Sequence, residues 1–220
     1  MEGKLKKSDC LEFEVPFSQT EYEHALIRWH FPEADLLKCL KIWEQIGSAC
    51  KVKSWYGFEQ EEEILVVMTL GKQFDKLMDR YETEGELLKA YALECLAMEI
   101  LRKAYGLFED VLYDHMGKYP CEFRFLDEEQ MKKIPEILSR LDIDEVQCNE
   151  SFALIPQKTV VFLTELSEER NADCTRICEN CGQKNCPNRK EKKAQEEKAV
   201  LNYGYQRILG NRGNNLWKKD

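Results

Sequence analysis

No stretch of this chain is long, apolar and uncharged enough to cross a bilayer. The N-terminal MEGKLKKSDC is followed by alternating acidic and apolar residues instead of the apolar centre of a signal peptide. Both absences point to a cytoplasmic protein with reduced thiols, which makes disulfides a poor use of its cysteines. Histidine is scarce too. His24, His30 and His115 are the whole complement; each sits in a helical context, and none stands at metal-ligand or triad spacing from another, so they read as surface or core histidines. Internal repeats are missing, as is low-complexity sequence outside a charged C-terminal tail. A regular strand-helix-strand rhythm is also absent, which argues against a parallel sheet.

What the chain has in excess is cysteine. Four of its ten, Cys174, Cys178, Cys181 and Cys186, lie within thirteen residues, and thiolates gathered that tightly suit one soft metal wrapped by one loop. Asn180, Gly182, Asn185, Pro187 and Asn188 supply turn chemistry around them. A redox or unliganded loop is the alternative. Zinc and an iron-sulfur cluster both accept four thiolates, and the single short run tilts the reading towards iron and sulfur. Cys39 and Cys95 fall inside helical apolar patterns and read as small core hydrophobes. Cys10, Cys50, Cys121 and Cys148 share no ligand spacing.

A 43% hydrophobic and 33% charged composition describes an ordinary globular chain, and the formal net charge of -9 is unevenly spread. From Gly182 to Asp220 ten Lys or Arg face four Asp or Glu, a local +6 that leaves -15 for residues 1–181. An acidic body repels phosphates and argues against nucleic-acid binding. The mixed charges of Arg189 to Lys198 read as a solvated helix or a contact for an acidic partner.

The periodicity predicts a strand over 11–17, then a capping box in which Ser18 stands three residues before Glu21, opening a helix to about His30. A second helix is expected over 33–49. Strands follow near 51–58 and 64–70, separated by the acidic run 59–63, with the continuously apolar Ile64 to Met68 buried on both faces. Gly71 opens a short helix to about Tyr81. Gly85 precedes the longest element, Glu86 to about His115, carrying a stripe of Leu88, Tyr91, Cys95, Met98, Leu101, Tyr105, Phe108 and Leu112. A short extended piece runs through 123–126. A helix is expected over 128–141, with Pro135 either kinking it or marking its start, and strands over 145–149 and 159–166. These elements make a single α+β domain with a mostly antiparallel sheet and one long central helix over residues 1–170, a cysteine-rich metal loop over 171–190, and a basic tail over 191–220.

Three stretches carry a resemblance. Val66 to Gly71 resembles an "A-T-L-G" segment; Asn149 to Val160, including Glu150, Ser151, Pro156 and Lys158, is similar to a "T-E-S-x-x-x-x-P-x-K-S-V" motif; Cys178, Cys181, Cys186, Pro187 and Arg189 look like a "C-x-x-C-x-x-x-x-C-P-x-R" ending. All three are found in the activation domain of cobalamin-dependent methionine synthase, in its free-standing bacterial form. The resemblance implies an accessory protein that binds S-adenosylmethionine and assists reductive methylation of an inactivated cobalamin. Its partners would be a cobalamin-binding methyltransferase or corrinoid protein and an electron donor such as a flavodoxin. It carries donor binding onto Arg124, Glu150 and Ser151, and adds Cys174 as a fourth metal ligand. The chain departs from the family after Arg124, where Phe125, Leu126 and Asp127 stand in place of a Pro-Gly-Tyr loop.

Two other readings share these residues. A metal-binding electron-transfer or interaction module would use the cysteine loop without methyl transfer. Cys174, Cys178 and Cys181 also match the C-x-x-x-C-x-x-C spacing of radical enzymes that use S-adenosylmethionine. However, the chain ends too soon after Cys181 for their barrel, and Asn180 stands where an aromatic residue is usual.

Overall fold

A computed structural model describes residues 9–170. The chain runs β1 (Asp9–Pro16), α1 (Gln19–Arg28), α2 (Glu33–Ile46), β2 (Ala49–Gln60), β3 (Glu63–Thr69), α3 (Gln73–Thr83), α4 (Leu87–Met116), β4 (Tyr119–Pro120), β5 (Arg124–Phe125), α5 (Glu128–Met131), α6 (Ile134–Arg140), β6 (Gln147–Cys148), β7 (Leu154–Ile155) and β8 (Thr159–Ser167). The sheet has the order β1-β2-β3-β8-β4, with β5 also on β8, and every pairing is antiparallel. This is an α+β fold. The cysteine loop and tail, with Cys174, Cys178, Cys181 and Cys186, lie outside the described residues.

β3 explains why the sheet is covered on both sides. Ile64, Val66 and Met68 point into the larger core with Tyr22, Leu26, Ile42, Leu93 and Phe162, whereas Leu65 and Val67 join a smaller one with Trp55, Ile137, Leu138 and Val161. A strand buried on both faces has no polar side to alternate, hence its unbroken apolar run. Gly57 permits close approach of Leu141, the residue after α6: a Cβ there would meet its Cδ2 at 2.5 Å.

The capping box forms as the spacing predicts. Ser18 Oγ accepts from Glu21 N–H at 3.2 Å, and Glu21 Oε2 accepts from Ser18 N–H at 2.7 Å. Lys103 donates to the other carboxylate oxygen at 2.7 Å. Chiefly through that bond, and then through the Ser18 amide, the Glu21 carboxyl is held down from 4.5 to about 2. A folded pKa below the unfolded one stabilises the fold fully above pH 4.5, and that contribution fades as pH falls towards 2. Ser18→Ala should cost about 1 kcal/mol in urea unfolding. In carbon-detected NMR titration of Glu21, Lys103→Met should move the midpoint back up.

Three expectations are corrected. Leu88, Tyr91 and Met98 of the expected α4 stripe are 37%, 50% and 42% exposed, and the buried face instead carries Ala92, Leu93, Leu96, Ala97, Ile100 and Ala104 beside Cys95, Leu101, Tyr105, Phe108 and Leu112. Steps averaging about 3.5 residues drift around a 3.6-residue helix, and small alanines set the close packing. The helix expected over 128–141 is two helices, α5 and α6, and Pro135 sits in the first turn of α6, where its missing N–H leaves no bond unmade. The strand expected over 145–149 shrinks to β6, which pairs with β7 in a ribbon apart from the main sheet.

Candidate functional site

The segments 66–71 and 149–160, far apart in sequence, meet at one end of the sheet. Thr69 faces Thr159 in the β3–β8 register. Their buried hydroxyls lie 2.7 Å apart, and Thr69 Oγ1 also accepts from Gly71 N–H at 3.1 Å. Gly71 has φ +76°, so a side chain there would be strained. The Leu70 amide donates to Lys158 O at 3.0 Å. Lys158, with its side chain 11% exposed, reaches α4 and donates to both Glu94 oxygens at 2.6 and 2.5 Å. The Gln157 amide donates to Asp75, in the first turn of α3, at 3.0 and 3.2 Å.

The loop ahead of Lys158 is closed by its own chemistry. Asn149 Oδ1 accepts from the Ser151 and Ala153 amides at 3.0 and 2.9 Å, and Asn149 N–H donates to Ala153 O at 3.0 Å. Glu150 and Ser151 are exposed at its tip, Phe152 adopts φ +61°, and the peptide bond from Ile155 to Pro156 is cis. A loop pinned at Asn149, Gln157 and Lys158 is presented without having to be ordered on contact.

Arg124 sits elsewhere, on β5 at the edge of β8. Its strand partner is Leu163, and its guanidinium pairs with Glu63 and, at 3.8 Å, with Glu165. Phe125 packs against Tyr105 and Phe162. Asp127 caps α5, accepting from Gln130 N–H at 2.8 Å while its own amide donates to Gln130 Oε1 at 3.0 Å.

Among the described residues no group of three or more His, Cys, Asp or Glu is placed to hold a metal ion. The six described cysteines are free, and burial raises each thiol, Cys39 and Cys50 to about 11 and Cys95 to about 12. Thiols so raised stay protonated and poorly nucleophilic. His115 Nε2 lies 3.4 Å from Asp9 Oδ2. No helix of the described residues is long and apolar enough to cross a membrane.

No protein-family model and no curated protein matches the chain. Among the solved structures it is similar to is the crystal structure of the MetH reactivation domain bound to AdoHcy. The identity is 8% and the TM-score 0.47, over 78% of this chain and 82% of that one. The bound AdoHcy belongs to that domain.

The Arg124 segment has partners of its own. The guanidinium is already engaged by two carboxylates, and the amides of Asp127 and Gln130 are spent in a capping box. A donor carboxylate there would share the guanidinium with Glu63 and Glu165. Sequence pattern could not show this, because Glu63 is 61 residues from Arg124. Glu94 was missed for a similar reason: a carboxylate on a helix surface carries no local sign of a lysine 64 residues away.

Proposed function

We propose that this chain is an accessory domain for a cobalamin-dependent methyltransferase or corrinoid protein, assisting reactivation of that protein's cofactor, with the methyl-donor segment altered. The observation that supports this most is the junction of the two motif segments: Thr69 to Gly71 and Gln157 to Thr159 share one hydrogen-bonded unit anchored to α3 and α4. Residues selected only to close a turn have no need to join a second motif. The unit holds out the loop bearing Glu150, Ser151 and exposed Ile155, which suits docking.

Size-exclusion chromatography with a cobalamin-loaded methyltransferase tests the docking. The wild-type chain should co-elute, and the double variant Glu150→Arg with Ile155→Asp should not; separate elution of the wild-type chain would refute it. Isothermal titration with S-adenosylmethionine alone should give no saturable heat. Saturable binding that disappears in Arg124→Ala would reinstate the donor site.

A second reading rests on the sequence spacing of Cys174, Cys178, Cys181 and Cys186, which we propose hold one metal centre. Protein purified without oxygen should be brown and bleach on reduction if the centre is iron-sulfur, or colourless with stoichiometric zinc. Metal-free protein would remove this reading.

A further inference from the structure

Three cations gather in one cleft of a strongly acidic body. Between α1 and α4 lies a cavity of about 360 Å³ lined by Phe17, Glu21, Arg28, Glu99, Arg102 and Lys103, among others. Its floor is Glu99, whose side chain is only 8% exposed. Glu99 accepts from Arg28 Nη2 at 3.1 Å, from Arg102 Nη1 at 3.3 Å to both oxygens, and from Trp29 Nε1 at 3.2 Å. Lys103 bonds Glu21, and its ammonium lies 5.8 Å from the centre of the Phe17 ring.

The buried carboxylate holds both guanidiniums, each within 3.3 Å of its oxygens. A guanidinium carries five N–H donors, and Glu99 uses only part of each set. The Lys103 ammonium likewise keeps donors beyond its bond to Glu21. Counting Arg28, Arg102 and Lys103 against Glu21 and Glu99, with His24, which also lines the cleft, counted as neutral, leaves the cleft at +1, whereas residues 1–181 total -15. At physiological salt, charges beyond about 8 Å are largely screened, so the local excess governs what enters. Paired guanidinium forks match a tetrahedral oxyanion better than a single carboxylate. The cavity is roomier than a bare phosphate needs, and Phe17 offers an apolar edge.

We propose that this cleft binds the phosphate group of a small phosphorylated organic molecule, gripped by Arg28, Arg102 and Lys103. The use of Glu99 as an internal counter-ion preorganises the two arginines, so little side-chain entropy remains to be lost on binding.

Isothermal titration with phenyl phosphate, inorganic phosphate and phenol separates the contributions. Phenyl phosphate should bind saturably, inorganic phosphate more weakly, and phenol not at all. Arg102→Gln and Lys103→Gln should each weaken phenyl phosphate at least tenfold with circular dichroism unchanged, while Lys38→Gln on α2 should leave it unaltered. Lys103 pairs with exposed Glu21, so its variant tests the site even if Arg102→Gln unfolds. Absence of saturable heat from phenyl phosphate overturns the proposal, as does binding that survives Lys103→Gln unchanged. Equal affinity for phenyl phosphate and phenol would also overturn it.

Discussion

Phe162→Ala should destabilise the fold by about 3–5 kcal/mol, the range for truncating a buried aromatic ring. Phe162 is fully buried on β8, the strand that pairs with β3, β4 and β5. Its backbone stands opposite Val66 on one side and Phe125 on the other. Its ring lies 4.7 Å from that of Phe123, 5.9 Å from Phe125, 6.0 Å from Phe108 and 6.2 Å from Tyr105, centre to centre. Truncation therefore leaves a cavity bounded by aromatic rings from α4 and from residues 123–125, which cannot collapse without moving the sheet against the long helix. Thermal unfolding should fall by about 6–20 °C, at roughly 2–4 °C per kcal/mol for a domain of this size. A fall under 3 °C would mean that this aromatic cluster does not join sheet to helix.

Glu99→Ala comes next, at about 2–3 kcal/mol. The carboxylate collects Arg28 and Trp29 from the end of α1 and its neighbouring residue and Arg102 from one turn along α4, so it ties the first helix to the spine. Removing it orphans an indole N–H and leaves two guanidiniums facing each other. The cost stays below that of a fully buried pair because both arginines reach water, at 27% and 32% exposure. Glu99→Gln keeps an acceptor for Trp29 and should recover part of the loss. Urea unfolding of the two variants beside the wild-type chain measures both effects, and an Ala variant as stable as the wild-type chain would leave the tie without energetic weight.

Much of the fold was legible because local chemistry punctuates it. Gly117, at φ +73°, ends α4 in the left-handed turn expected after a helix, and Gly85, at φ +72°, closes the turn before it. Ser18 and Glu21 announce α1 three residues apart. Cys39 and Cys95 are buried, as their helical settings predict. What stayed hidden is what depends on distant partners. Apolar periodicity put Tyr91 and Met98 on the buried face of α4, but that face carries Ala92, Ala97 and Ala104 instead. The β6–β7 ribbon has only two residues in each strand, too few for alternation to register. In the candidate site, Lys158 was visible inside a motif, while its partner Glu94 and the Thr69–Thr159 contact required the sheet register. Arg124 was visible too, yet its meaning is set by Glu63 and Glu165.

The resemblance to a cobalamin activation domain and the junction of its two motif segments lead to one expectation. A cobalamin-binding methyltransferase held anaerobically as cob(II)alamin, titrated with this chain, should change its visible spectrum saturably as the chain docks over the cofactor face. The variant bearing Glu150→Arg and Ile155→Asp should not cause that change. A spectrum that stays constant to a large excess of wild-type chain would contradict the cobalamin-linked role.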